Sequence, residues 1–213
     1  DPVEFRMRGI NQVQVNNKAG MTFAAALRSI LRADPDVVLI GEIRDQETAN
    51  IAIEASLTGH LVLSTLHTND APSAVTRLTE MGVEPFLLSS SLAAVMAQRL
   101  ARRLCKKCKR QDTATEAELR TLGVPHMPDT PLPTIWRPVG CRECANTGYS
   151  GRVAIQQVMG VDSTMEDLIA RGATSIDIDK AAKEQGMTTL RKDGWQKALQ
   201  GITSVEEVLR VTV

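Results

Sequence analysis

Two short runs, the aliphatic Val37 to Ile40 and "LVLST" at 61–65, flank the segment "QETANIAIEASLTG" at 46–59. The runs are short, apolar and β-branched enough to be strands, and the segment between them has the length and spacing of a helix, opened near Asp45 and stopped by Gly59. A chain that leaves one strand and returns through a helix re-enters in the same direction, so the two strands are expected to be parallel, as neighbours or near neighbours with a right-handed crossover. The first run, with four consecutive aliphatic residues, reads as a strand buried on both faces, and the second likewise.

The flanking segments extend this pattern. Residues 22 to 33, "TFAAALRSILRA", place Phe23, Ala26, Leu27, Ile30 and Leu31 on one helix face behind a Thr22 cap. After the second strand, Asp70 caps a helix with Pro72 in its first turn, ended by Gly82, and a further helix is expected from about Pro85 to Leu104. From Cys105 to Gly151 the character changes: all four cysteines and five of the nine prolines fall there, with little periodicity before "GRVAIQQVM". The tail from about Asp162 reads as short helices separated at Gly172, Gly186 and Gly201, with "SVEEVLRV" as the last.

The first strand ends abruptly in "GEIRD", so Glu42, Arg44 and Asp45 follow the aliphatic run at once. The second ends in "STLHTND", bringing Thr65, His67, Thr68, Asn69 and Asp70 to the neighbouring strand end. Ligands of open parallel sheets bind beyond the carboxyl ends of the strands, which makes these polar ends a candidate site. The alternative is a solvated loop that caps the next helix, and Asp45 reads as such a cap. Arg28 and Arg32, one helical turn apart, are either phosphate-reaching groups or a solvated helix face, and Arg44 has the same two readings.

Cys105, Cys108, Cys141 and Cys144 form C-x-x-C twice, with thirty-two residues between the pairs. Two such pairs wrap one tetrahedral ion, and four protein ligands leave no open position, so the expected site is structural zinc. A pair of disulfides and an iron-sulfur centre are the alternatives. Seven basic residues lie between Arg99 and Arg110. They either offset the tetrathiolate charge or meet an acidic protein or anionic lipid.

Composition sets limits. Twenty-five basic and 25 acidic residues give a formal net charge of zero, which argues against nucleic-acid binding by overall field. An aromatic content of 3% provides no stacking platform for single strands. No apolar run approaches the roughly 20 residues that span a bilayer, and no signal peptide opens the chain, so a cytoplasmic protein is expected.

"DPVEF" at 1–5, "LRADPDVVLIGEIRDQETA" at 31–49 and "TGHLVLSTLHTNDA" at 58–71 together resemble the Asp box, Walker B and His box of the secretion ATPase superfamily. The nearest likeness is to the hexameric motors of type IV pilus assembly and type II secretion, and it continues through "RLARRLCKKCK", "GCRECANTGYSGR" and "SVEEVLRVT". The resemblance implies an α/β fold: a partial RecA-like P-loop NTPase core with a parallel sheet over 1–104, an inserted tetracysteine zinc module over 105–151 and a helical C-terminal subdomain over 152–213. It implies ATP and Mg2+ as cofactors beside Zn2+. Glu42 would support the magnesium shell, Glu4 would orient the attacking water, and His60 and His67 would be the His-box histidines near nucleotide and subunit interface. Arg28, Arg32 and Arg44 would face phosphates. Implied partners are five further copies in a homo-hexamer and an inner-membrane platform protein, which would hold the motor peripherally at the inner membrane. The four-cysteine element points to assembly or secretion motors rather than retraction motors, with a slight lean toward pilus assembly.

One departure stands out. Phosphate binding in this superfamily needs G-x-x-x-x-G-K followed by Ser or Thr, and no such string occurs in residues 1–213. The chain is therefore expected to be the C-terminal part of a longer ATPase, and to be inactive alone. Two other classes stay in view: a nucleic-acid-binding zinc module, and a nonenzymatic regulatory relative.

Overall fold

The computed structural model describes Val3 and residues 5–212. The expected Asp-box base, Glu4, lies outside the described residues. In chain order come α1 (Phe23–Leu31), β1 (Val37–Ile40), α2 (Gln46–Leu57), β2 (Leu61–Ser64), α3 (Pro72–Glu80), α4 (Pro85–Ser91), β3 (Ala94–Leu104), β4 (Arg110–Thr113), α5 (Glu116–Leu122), β5 (Thr134–Arg137), β6 (Tyr149–Gly160), α6 (Ser163–Ala170), α7 (Ser175–Glu184), α8 (Leu190–Leu199) and α9 (Val205–Val211). The fold is mixed α/β, and its strands pair as β1 with β2, β3 with β6 and β4 with β5. Two compact units form, residues 1–94 with 160–181 and residues 95–159 with 182–213. Two of the boundaries between the units fall at the outer ends of the long strands β3 and β6.

In the first unit β1 and β2 are parallel, with Val37 against Leu61 and Ile40 against Ser64. Local chemistry sets the helix starts. Thr22 accepts a bond from the Ala25 amide at the start of α1, and Asp45 does the same for the Thr48 amide at α2. Asp70 accepts from the Ser73 amide in the first turn of α3. The core of this sheet gathers Ala24 and Leu27 from α1, Val38 and Ile40 from β1, and Ile51 and Ala52 from α2.

That core covers one face only, which corrects the expectation of strands buried on both faces. Val38 and Ile40 are 4% and 2% exposed, but Val37 and Leu39 are 54% and 68% exposed, and Leu61 and Leu63 are exposed as well. Side chains alternate along a strand, so a sheet with helices on one side buries every second residue. No described residue belonging to this core lies on the other side.

The expected helix from Pro85 to Leu104 is also corrected. α4 stops at Ser91, and the Leu92 backbone turns extended at φ −86°, ψ 112°. Ala94 to Leu104 forms a strand instead. Its composition suits either state, and pairing with β6 along its length decides the matter. Cys105 N–H donates to Gly148 O, and the Gln156 side-chain amide reaches the Gln98 side chain, so the two strands run antiparallel.

The second unit builds its core from Ala101 on β3, Leu119 and Leu122 on α5, Ile135 on β5, Ile155 on β6, and Trp195, Val205 and Val208 on α8 and α9. Gly194 lies inside α8, where a Cβ would meet Val208 Cγ1 at 2.6 Å and Ile155 Cδ1 at 3.1 Å. The absent side chain lets α8 seat against β6 and α9. Glu207, fully buried on α9, accepts from the Arg102 amide and from both the Arg102 and Arg210 guanidinium groups at 2.6–3.0 Å. Burial works against this carboxylate, but the arginine donors outweigh it and pull its pKa down to about 2.

Candidate functional site: strand-end carboxylate and tetracysteine cluster

The first candidate site grows out of the β1–β2 ladder. Past its last register pair the two strands stay tied: Ile43 N–H donates to Thr65 O at 3.0 Å, and Thr65 Oγ1 donates to Gly41 O at 2.7 Å. These bonds hold the two polar strand ends side by side. Glu42, with a side chain only 15% exposed, receives the His67 Nε2 proton at 3.0 Å on one oxygen and pairs with Arg44 on the other. Arg44 and His67 are themselves largely exposed. The Arg44 guanidinium, aided by the His67 ring, holds the Glu42 carboxyl below its ordinary range against a smaller cost of burial. The result is an ionised carboxylate, oriented from two sides, at the carboxyl end of a parallel strand.

Other candidate residues fall elsewhere. Asp45 is spent on the α2 cap, accepting from both the amide and the hydroxyl of Thr48. Arg28 pairs with Glu47 at 2.7 Å on an exposed surface, and Arg32 is the exposed residue that closes α1. His60 sits at the opposite end of β2 from His67. Its Nδ1 lies 3.0 Å from the Ala55 carbonyl, so that nitrogen carries the proton. Nε2 is then an acceptor, buried, and without a partner among the described residues. The structure thus brings Glu42, Arg44 and His67 together and leaves His60, Arg28 and Arg32 apart from them.

The second candidate site joins residues far apart in sequence. All four cysteines are free, with Cys105 and Cys144 buried, and their sulfurs lie within 4.8 Å of one another. Cys105 to Cys141 and Cys108 to Cys144 are 3.8 Å apart, and Cys141 to Cys144 is 3.7 Å. A disulfide needs about 2.05 Å, so no disulfide is present. Four metal–sulfur bonds of about 2.3 Å directed to the corners of a tetrahedron place sulfurs about 3.8 Å apart, the spacing of these three pairs. A multi-iron cluster would spread them further.

Backbone donors complete the cluster. Gly140 N–H points to Cys108 Sγ at 3.3 Å, and the Cys141 and Gly148 amides point to Cys144 Sγ at 3.2 Å. Burial pushes the Cys141 thiol up to about 11, whereas at Cys144 these amides outweigh burial and bring the thiol down to about 6. The sequence reading missed these amide donors. Their one signal was a pair of glycines around the second knuckle, Gly140 directly before Cys141 and Gly148 four residues after Cys144, both at positive φ with Asn146 or Pro138 atoms where a Cβ would be.

Residues 1–210 match the family described as Type II/IV secretion system protein. The chain is 52% identical over 213 residues to the Type IV pilus assembly ATPase PilB of Thermus thermophilus, covering all of this chain and 24% of that protein. It is 55% identical over 212 residues to the Type II secretion system protein E of Pseudomonas aeruginosa, covering 100% of this chain and 41% of that protein. The chain therefore spans between a quarter and two-fifths of the length of these relatives. Among solved structures, the fold is similar to the Legionella pneumophila ATPase DotB, with TM-score 0.65 and 21% identity over 99% of this chain and 49% of that one. It is also similar to the pilus retraction motor PilT with bound ADP, with TM-score 0.61 and 24% identity over 89% of this chain and 43% of that one.

Proposed function

Because the chain belongs to the Type II/IV secretion system protein family, we propose that it is part of a motor ATPase subunit that hydrolyses ATP to drive type IV pilus assembly. The observation that carries this reading is the Glu42 carboxylate, gripped by Arg44 and His67 where a parallel strand ends. ATP hydrolysis needs a cradle for phosphates, a divalent cation, an oriented water and positive charge against the transition state. Magnesium, when bound with nucleotide, would supply the neutralising charge. The donor set meets part of these needs. Glu42 would offer its carboxylate to the cation's water shell, His67 would fix its orientation, and the exposed Arg44 guanidinium, here paired with Glu42, would be the group available to phosphate oxygens. The cradle is not among these residues, since no G-x-x-x-x-G-K string occurs in the 213. Turnover thus depends on a phosphate-binding loop elsewhere in the polypeptide, and the chain by itself is inactive.

The remaining assignments belong to the same proposal. Glu4 orients the attacking water, His60 and His67 are the His-box histidines near nucleotide and subunit interface, and Arg28 and Arg32 reach phosphates once Arg28 leaves Glu47. The motor is a homo-hexamer docked on an inner-membrane platform protein, cytoplasmic and peripheral to the membrane. No helix among the described residues is long and apolar enough to cross a membrane. Residues 1–104 serve the ATPase core, 105–151 the metal module and 152–213 a helical subdomain. The four cysteines hold one structural Zn2+, supported by the 3.7–3.8 Å sulfur spacing.

Type II secretion is the second reading, favoured by the 55% identity to a Type II secretion system protein E beside 52% to a pilus assembly ATPase. The test of the shared activity is magnesium-dependent ATPase of the full-length protein beside its Glu42→Gln variant. Turnover lost in the variant supports the motor reading, and a full-length protein without turnover under oligomerising conditions overturns it.

A further inference from the structure

The cysteine knuckles and the turn between α8 and α9 are laced together on both sides of the metal-ligating sulfurs. Just before Cys105, Leu104 N–H donates to Ile202 O at 2.9 Å, and Thr203 Oγ1 donates to Arg102 O at 2.8 Å. Just after Cys108, the Lys109 ammonium donates to the Gly201 carbonyl at 2.7 Å and stands 4.3 Å from the centre of the Trp136 ring. Trp136 fills the space beside Gly201, where a Cβ would come within 2.5 Å of Trp136 Cδ1 and 2.8 Å of Lys109 Nζ. Gly201 holds φ +66°, a conformation that suits glycine. On the other knuckle Gly148 joins the two systems: its amide donates to Cys144 Sγ, its carbonyl accepts from the Cys105 amide, and the neighbouring Tyr149 hydroxyl lies 2.8 Å from Ser204 Oγ.

We propose that metal occupancy of the tetracysteine cluster sets the seat of the α8–α9 turn through a clasp of Lys109, Trp136 and Gly201, with Lys109 a positioning residue for the metal that does not touch it. The inference rests on the reading of the four cysteines as a single-ion site. Lys109 leaves the first knuckle through a turn whose own restraints are the Cys108 and Lys109 amides bonded to Cys105 O, at 3.4 and 3.0 Å. Four cysteine sulfurs within 4.8 Å of one another have no strong mutual attraction without a cation between them. The metal therefore fixes the turn that aims the ammonium. A lysine partly withdrawn from water gains from an aromatic face and a carbonyl only when both are correctly placed. Coupling between two such sites is reciprocal, so weakening the clasp weakens metal binding by the factor that metal loss weakens the clasp.

The test uses the full chain, loaded with Zn2+ or stripped by chelator, with metal content measured, amide hydrogen exchange followed by mass spectrometry, and Zn2+ affinity obtained by competition with a chromophoric chelator. Stripping is expected to remove protection over 201–211, outside the knuckles themselves. Lys109→Met, which keeps the aliphatic stem on Trp136 but removes the donor, is expected to weaken Zn2+ about tenfold or more, with Lys109→Arg restoring part of the loss. Gly201→Ala changes no metal ligand but pushes a methyl into Trp136 and the Lys109 ammonium, so it opens the clasp from the α8–α9 side and gives a second reading in the same direction. Zn2+ bound stoichiometrically with 201–211 equally protected in both states, and with parental affinity in Lys109→Met, overturns the clasp while leaving the metal site intact. Failure to take up Zn2+ overturns both.

Discussion

Glu42 Oε2 and His67 Nε2 are 3.0 Å apart although 25 positions separate them, because β1 and β2 run parallel and deliver their polar ends to the same edge. The histidine is therefore a partner of the carboxylate, and its loss is expected to act through Glu42. In the full-length protein, Glu42→Gln should lower ATP turnover by about 10²-fold or more. His67→Ala should lower it less, leaving thermal stability within about 0.5 kcal/mol, as suits a mostly exposed side chain. Steady-state ATPase assays paired with thermal melts check both, and parental turnover in either variant removes that residue from the mechanism.

His60 stands at the other end of β2, just before the strand, with its Nδ1 on the Ala55 carbonyl. His60→Ala removes the Nδ1 bond to the Ala55 carbonyl and the partnerless Nε2 together. Turnover or its coupling to work should weaken more than folding does, read from ATPase rate against the urea midpoint. Unchanged activity returns His60 to a packing role.

For the cysteines, freshly purified protein should contain one zinc per chain by elemental analysis. Any one of Cys105→Ser, Cys108→Ser, Cys141→Ser or Cys144→Ser should abolish retention, since a three-sulfur site loses both charge and geometry. Chelation should loosen 105–151 while the β1–β2 core keeps its exchange protection. Protein free of zinc, and of any other metal, would remove the site.

Glu207 provides a pH-dependent contribution whose sign is fixed by its shift. Its native pKa near 2 lies below the unfolded value of 4.5, so the stabilisation is complete above about pH 4.5 and is lost as pH falls toward 2. The amount is at most about 3 kcal/mol by the size of the shift. Urea midpoints recorded from pH 6 to pH 3 should fall, and Glu207→Gln should flatten part of that fall while destabilising the protein at pH 7.

Gly194→Ala tests local propensity against packing. An exposed helix would gain up to about 1 kcal/mol from this change. Here the added methyl meets Val208 and Ile155, both fully buried, and overpacking of this kind costs about 1–3 kcal/mol. A net loss of stability by chemical denaturation is expected, and a gain would show that α8 shifts to accommodate the methyl.

The local features were legible in the residues because their causes are local. Thr22 and Asp45 cap their helices, and Asp70 holds the first turn of α3, through bonds that reach three residues along the chain. The β1–α2–β2 order dictated a parallel pair, and the C-x-x-C spacing put two sulfurs on each knuckle. Tertiary structure alone decided what depends on partners distant in sequence. Ala94 to Leu104 is a strand because β6, some fifty residues later, pairs with it. Val37 and Leu39 are exposed because one face of the sheet is covered and composition cannot say how many faces will be. Arg102, Lys109 and Arg110 look alike in a basic run. Yet Arg102 secures a buried carboxylate and Lys109 holds a backbone carbonyl, since a charge takes its role from what the fold brings within bonding distance.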